Sequence, residues 1–279
     1  MRYHNRLVEL AERYAATRDV CVAYKRSLAR TCRKAESHGI QTVEHLQPEA
    51  VSRFVFSLSR SASTRANVRR ELLTLWRYAF EERLTEVPPM RVAKVRVPAK
   101  PVQAWSHHEL RRLLECAEKD ETPIGGITRM RICDFLPCWI CVAYDSGARF
   151  ADIHTMKTSQ VRNGHVNIVA HKTGKRLIRP LSAYALTLVN ELAQKSPNGE
   201  LFLWFITRRR AMITIRKFLD RHGFEGSFKY LRRSCATYIE ASRPGEATRY
   251  LQHSAASLTT KHYVDESLLA VPCGPPPIK

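Results

Sequence analysis

Nowhere does this 279-residue chain gather the ~20 consecutive apolar residues that a membrane-crossing helix requires, which excludes a helical membrane protein. Its opening residues, Met1-Arg2-Tyr3-His4-Asn5, lack the apolar stretch of a secretory leader. Acids are also scarce: 26 Asp+Glu stand against 46 Lys+Arg, a formal charge of +20. So large an excess points to a phosphate-rich partner, in preference to a merely basic surface or a membrane-surface binder. Paired cysteines are missing too. The eight cysteines, at 21, 32, 116, 133, 138, 141, 235 and 273, are scattered, mostly at apolar-periodic positions where a thiol behaves as a small buried hydrophobe. Cys138-Trp139-Ile140-Cys141 has metal-like spacing, but no second Cys or His pair stands at zinc-site distance. The set reads as reduced thiols of a cytoplasmic protein, and neither metal nor cofactor is expected.

What is present is enough apolar residue, 44%, to build cores, so the basicity is not that of a disordered tail. The length favours two domains. Residues 1–100 hold 20 Lys+Arg and 10 Asp+Glu, and the remainder 26 and 16, so both halves carry +10 and both are expected to face a polyanion.

Residues 1–86 read as a helical module. After a short first helix, Val20, Tyr24, Leu28, Cys32 and Ala35 recur at helical spacing, with Gly39 to close. Pro48 opens a second run with Val51, Phe54, Val55 and Leu58. Thr64 is the expected cap of a long helix that turns Val68, Leu72, Leu75, Trp76 and Ala79 inward. Its other face shows Arg65, Arg69, Arg70 and Arg77, candidate phosphate contacts rather than a plain solvated face. Residues 87–104 form a connector: 87–102 contain four prolines and four basic residues but no acid. Proline lacks an amide donor and disfavours helix before itself, so this segment is extended.

In residues 105–279, Ser106-His107-His108-Glu109 forms a capping box, with His107 and His108 as surface residues of the first turn. An apolar helix is expected from about Ile127 to Tyr144, broken near Asp145-Ser146-Gly147, with another from Ala151-Asp152-Ile153. Alternation at Val166, Ile168 and Ala170, and again around Leu177-Ile178-Arg179, frames a β-hairpin whose turn holds His171-Lys172-Thr173-Gly174. Helical pattern resumes at Ser182 and runs to a Pro-rich tail. The fold class expected is mainly α with a small β-hairpin or sheet.

Two arginines, Arg149 and Arg232, two lysines, Lys172 and Lys229, His253 and the late Tyr263 make a set of positive donors with one phenolic hydroxyl. A phosphodiester transition state spreads negative charge over its equatorial oxygens, so catalysis is largely positioning plus electrostatic stabilisation. A tyrosine can then attack phosphorus and hold the phosphate as a covalent ester.

The segments Tyr144 to Asp152, His171 to Pro180, Lys229 to Thr237, Tyr250 to Ser254 and His262-Tyr263 resemble, in order and spacing, the catalytic domain of the tyrosine recombinases, or phage integrases. The N-terminal helices are similar to that family's core-binding domain. The resemblance implies that Arg149 and Arg232 grip the non-bridging oxygens of the scissile phosphate and that Tyr263 is the nucleophile. It further implies that Lys172 is the general acid toward the leaving 5′ oxygen, with Lys175 as the alternative, and that His253 donates to the phosphate. Asp152 is expected to hold Arg149 or another donor in place. Three departures stand out: Lys229 replaces the usual histidine of a His-x-x-Arg box, Gln252 replaces a common glycine, and no separate arm-binding domain is expected ahead of the helices.

The resemblance implies a clamp of two DNA-facing domains, double-stranded DNA as partner, and a homotetramer on two DNA sites that works through a 3′-phosphotyrosyl intermediate without a metal. Leu268, Leu269 and Val271 are expected to dock on a neighbouring subunit. Two rivals remain at this point, a type IB topoisomerase-like strand transferase and a DNA-binding regulator that kept the fold without cleavage. The target sequence and the biological outcome of recombination are not legible.

Overall fold

The computed structural model describes residues 6–89, 91–124 and 130–269. The chain divides into two compact units, Met1–Lys100 and Pro101–Lys279.

Among its described residues the first unit holds four α-helices, α1 (Leu7–Thr17), α2 (Val22–Glu36), α3 (Pro48–Ser57) and α4 (Ala62–Glu81). Along α4, Val68, Leu72, Leu75, Trp76 and Ala79 fall on one stripe and are buried against Leu7, Leu28, Val51 and Phe54. The helix begins earlier than expected: Ser61, not Thr64, is the cap, its hydroxyl accepting from the Thr64 amide at 3.3 Å. Both hydroxyl residues suit a cap, and the chain turns helical at the first. Buried Glu71 is satisfied by the hydroxyls of Ser27 and Thr31, at 2.6 and 2.5 Å.

The early connector is not free. Val92 enters the core of the first unit, Ser52 takes the Ala93 amide, and Trp76 Nε1 donates to Val87 O at 2.8 Å. Arg69, expected to face phosphate, instead donates to the carbonyls of Val92 and Ala93, both at 2.9 Å. Arg70 and Arg77 are exposed, and Arg65 lies half-buried with its guanidinium 5.8 Å from the Phe56 ring.

Among its described residues the second unit is mainly helical with one three-stranded antiparallel sheet. Its helices are α5 (His107–Lys119), α6 (Leu136–Ser146), α7 (Phe150–His154), α8 (Ala183–Gln194), α9 (Arg208–Arg221), α10 (Lys229–Ser242), α11 (Glu246–Tyr250), α12 (Ala256–Tyr263) and α13 (Glu266–Leu269). Ser106 and Glu109 make the expected capping box on α5. The apolar helix α6 starts at Leu136, later than the periodicity predicts. Residues 127–129 lie outside the described residues, and Ile132–Asp134 form a 3-10 turn, so the apolar pattern there belongs to that turn. Pro137 sits in the first helical turn, where its missing amide costs nothing.

The sheet consists of β1 (Val161–Arg162), β2 (His165–Val169) and β3 (Arg176–Pro180) in the order β1-β2-β3, with Ile168 opposite Leu177 and Val166 opposite Arg179. The β2–β3 hairpin was expected. The β1–β2 hairpin was not, although Asn163-Gly164 is a strong two-residue turn signal and both residues take positive φ, 51° and 76°. Trp139, Phe135, Phe202, Phe218 and Leu231 form the centre of this unit's core. Helix α10 packs against α6, α11, α12 and α13. Leu268 and Leu269 are half-buried on α13, and Val271 lies outside the described residues. Among the described residues no helix is long and apolar enough to cross a membrane.

Candidate active site

Arg149 is placed by the end of α6. Gly147 takes the left-handed conformation (φ 58°) that closes the helix, two residues ahead of Arg149, which is the N-cap of α7. Its backbone comes close to neighbours that leave no room for a side chain, with Cys235 and Leu251 against the position of a Cβ. Arg232, one turn into α10, is 5% exposed. Its guanidinium donates to the carbonyls of Gly147 and, at 3.2 Å, Leu251, and reaches His253 Nε2 at 3.0 Å. Burial, then the nearby Arg149, pull its pKa below the ordinary guanidinium value.

Tyr263 ends α12 and is half-buried. Its ring lies 5.4 Å from Lys229 Nζ, 5.2 Å from the Arg232 guanidinium and 4.5 Å from the His253 ring. The segment beyond it is fixed: Thr237 takes the Asp265 amide at 2.9 Å, and buried Asp265 accepts from the Ala104 amide at 2.8 Å. Arg149, Lys172, Lys229, Arg232 and Tyr263 together line a cavity of about 600 Å³ whose other walls include Phe150, Met212 and Phe228.

His253 follows α11 and stands beside the guanidinium. Burial, then Arg232, Arg149, His262 and Lys172, hold its pKa down to about 4, so the imidazole is neutral at neutral pH. Gln252 before it takes φ 55°, the left-handed conformation that glycine adopts freely, and its side chain donates to Arg176 O at 2.5 Å.

Lys172 is exposed at the β2–β3 turn and lines the cavity; Lys175, three residues on, is not among its lining residues. Asp152 does hold a donor, though not Arg149. It is 4% exposed and accepts from both the backbone amide (2.9 Å) and the Nδ1 (3.1 Å) of His171, tying α7 to the turn that carries Lys172.

Sequence reasoning passed over Arg179, Asp265 and Thr259. Arg179 donates to the carbonyls of Arg249 and Tyr250 and lies 4.3 Å from the Tyr250 ring, fastening β3 to the end of α11. Its place inside the quoted His171-to-Pro180 segment was the available signal. Thr259 and Asp265 flank Tyr263 in sequence, but nothing in their spacing marks them.

The arrangement has the chemistry to hold an anion. Among the described residues, no carboxylate pairs with Arg149, Lys172, Lys229 or Arg232, and the buried Nε of Arg232 has no partner. A buried cation without a counter-charge is costly, and a bound oxyanion offsets that cost.

Comparison with known proteins bears on the family and the fold. The sequence profile of the phage integrase family matches residues 103–268. A lambda integrase dimer bound to a COC′ core site superposes with a TM-score of 0.75 at 15% identity, over 98% of this chain and 81% of that one. The Tn1549 transposon integrase in complex with circular intermediate DNA gives 0.73 at 12% identity, over 93% and 95%. A lambda integrase tetramer bound to a Holliday junction gives 0.71 at 15%, over 89% and 76%. No curated protein matches the sequence. At these identities the structural likeness speaks for the fold, and the profile covers more than half of the chain: the protein belongs to the phage integrase family, the tyrosine recombinases.

Proposed function

We propose that this chain is a site-specific DNA recombinase that cleaves and rejoins strands through a 3′-phosphotyrosyl intermediate. The observation that carries the proposal is the convergence of four cations, unneutralised by any described carboxylate, on a cavity that also receives the Tyr263 ring. The scissile phosphate sits between Arg149 and Arg232, and the unpaired Arg232 Nε supplies a donor to a non-bridging oxygen. Tyr263 Oη attacks phosphorus while the bond to the 5′ oxygen breaks. The phenol gives its proton to water, helped by the adjacent cations, and the departing 5′ oxygen takes one from Lys172. In the second half the 5′-hydroxyl of a partner strand attacks the phosphotyrosyl ester and releases Tyr263. One ester replaces another, so no energy source is required, and the charge stabilisation comes from side chains without calling on a metal.

Lys229 contributes as a phosphate donor; an ammonium has three donors and no lone pair with which to take a proton. His253 starts neutral, and an arriving phosphate favours its protonated form, which can donate. Asp152 acts through His171 to set the lysine-bearing turn. Exposed Arg70 and Arg77, with Arg65 and the exposed Lys175, contact the backbone of double-stranded DNA, and four copies of the chain act on two sites.

The test is capture of a covalent protein–DNA adduct. Duplexes bound by the protein are selected from a random pool, nicked near the cleavage point so that the product strand diffuses away, and incubated with the wild type and Tyr263→Phe. A Tyr263-dependent adduct is expected. Absence of an adduct with wild-type protein would leave a DNA-binding regulator as the better reading. Cleavage of any duplex regardless of sequence would favour a topoisomerase-like strand transferase.

A further inference from the structure

The histidine and the nucleophile are joined by a residue that belongs to neither motif. Thr259 sits one helical turn ahead of Tyr263 on α12 and is 1% exposed. Its hydroxyl oxygen lies 2.8 Å from His253 Nδ1 and accepts from the Thr248 hydroxyl at 3.0 Å. The backbone amide of His253 in turn donates to Thr248 O at 3.0 Å, which closes a ring of contacts between α11, α12 and the histidine.

The contact at the opposite ring nitrogen shows where the proton is while α12 is docked. Nε2 lies 3.0 Å from Arg232 NH2, and a guanidinium has protons but no lone pair to offer. Nε2 is therefore the acceptor, the imidazole proton resides on Nδ1, and it is directed to Thr259 Oγ1. A threonine oxygen has two lone pairs, enough for both His253 and Thr248.

We propose that Thr259 is a positioning residue of the strand-transfer reaction: by accepting the Nδ1 proton of His253 it fixes the tautomer and orientation of that ring, and it does so only while the helix carrying Tyr263 is docked. Docking of the nucleophile and readiness of the histidine are then one event. When α12 leaves, the ring loses the partner that holds Nδ1–H, and Nε2 is no longer presented toward Arg232 and the phosphate. The role presupposes the cleavage reading above, whereas the hydrogen bond itself is a property of the unliganded protein.

The first measurement needs no DNA. In the full-length chain with ¹⁵N-labelled histidine, long-range nitrogen–proton correlation spectra distinguish a protonated from a lone-pair ring nitrogen, and His253→Gln assigns the His253 signal among the 11 histidines. Wild type and Thr259→Ser are expected to show Nδ1–H with a lone pair on Nε2. Thr259→Val, of the same shape but without the hydroxyl, is expected to lose that pattern. An Nε2–H ring in the wild type, or an unchanged spectrum in Thr259→Val, overturns the proposal. If Thr259→Val does not fold, the wild-type and Thr259→Ser spectra still decide it.

The second measurement is single-turnover adduct formation on the selected nicked duplex. Thr259→Val should slow it roughly tenfold, the equivalent of one orienting hydrogen bond, and Thr259→Ser should stay within about threefold of wild type. In a His253→Gln background Thr259→Val should add nothing, because its effect passes through the histidine. Full additivity in that background would reduce Thr259 to a packing residue and refute the proposal. Failure of the wild type to form any adduct would count against the cleavage reading instead, leaving the tautomer result to judge Thr259.

Discussion

Replacing Gly147 by alanine strikes the point where α6, the α11–His253 loop and Arg232 meet. Gly147 has φ 58°, and a Cβ there would lie 2.8 Å from Leu251 Cδ2 and 3.1 Å from Cys235 Sγ, well inside ordinary contact distance. The left-handed backbone costs an alanine about 1–2 kcal/mol. Forcing a methyl into a filled site adds about 1–3 kcal/mol, and the stiffer unfolded chain returns about 0.4–1 kcal/mol. The expected loss is about 2–4 kcal/mol, a large share of the roughly 5–15 kcal/mol by which such a domain is stable. Urea unfolding followed by tryptophan fluorescence measures it, since Trp105, Trp139 and Trp204 all lie in the unit that contains Gly147. Leu251→Val removes the clashing δ-carbon, so the double variant should lose less than the sum of the two singles. Because the carbonyls of Gly147 and Leu251 both hold Arg232, cleavage should fall further than the lost stability explains. Gly147→Ala with an unchanged midpoint and normal cleavage would refute this reasoning.

Three further expectations follow from the same geometry. Lys172→Ala should slow cleavage of an ordinary phosphodiester by about a hundredfold, and a substrate with sulfur at the 5′ bridging position should recover it, because a thiolate leaves without a proton; Lys175→Ala should show no sulfur rescue, and rescue of Lys175→Ala instead would transfer the acid role. Gln252→Ala keeps the left-handed backbone and loses the bond to Arg176 O, so Gln252→Gly should be the more stable of the two by about 1 kcal/mol in urea unfolding, and equal stability would contradict the strain. His253 has its folded pKa lowered to about 4 from the ordinary ~6.5, so the unfolded chain binds the extra proton. Its contribution to stability is thus full above pH ~6.5 and declines as the pH falls toward 4; the Tm difference between wild type and His253→Gln should shrink over that window, and a constant difference would contradict it.

The helical periodicities were readable because each buried stripe repeats a simple spacing, as Val68, Leu72, Leu75, Trp76 and Ala79 do on α4. Boundaries were harder. Ser61 and Thr64 are equally good caps by chemistry, and the apolar residues near Ile132 fit a 3-10 turn as well as a helix. Of the candidate site, Arg149, Lys172, Lys229, Arg232, His253 and Tyr263 were legible because a phosphate ligand calls for positive donors and the family's motifs order them. Their supports were not. Asp152 reaches His171 across 19 residues, Arg179 reaches Tyr250 across 71, and Asp265 reaches Ala104 across 161; no local pattern encodes such pairings. Arg69 shows the opposite case, a residue whose charge suggested DNA and whose donors serve two backbone carbonyls.

The proposed cleavage turns on the phenolic oxygen of Tyr263 taking up the DNA phosphate. The most direct measurement is to digest the trapped protein–DNA adduct with protease and nuclease and locate the residual nucleotide by mass spectrometry. A single modified peptide is expected, with the nucleotide on Tyr263 through its 3′ phosphate. A nucleotide on another side chain, or attachment through a 5′ phosphate, would contradict it.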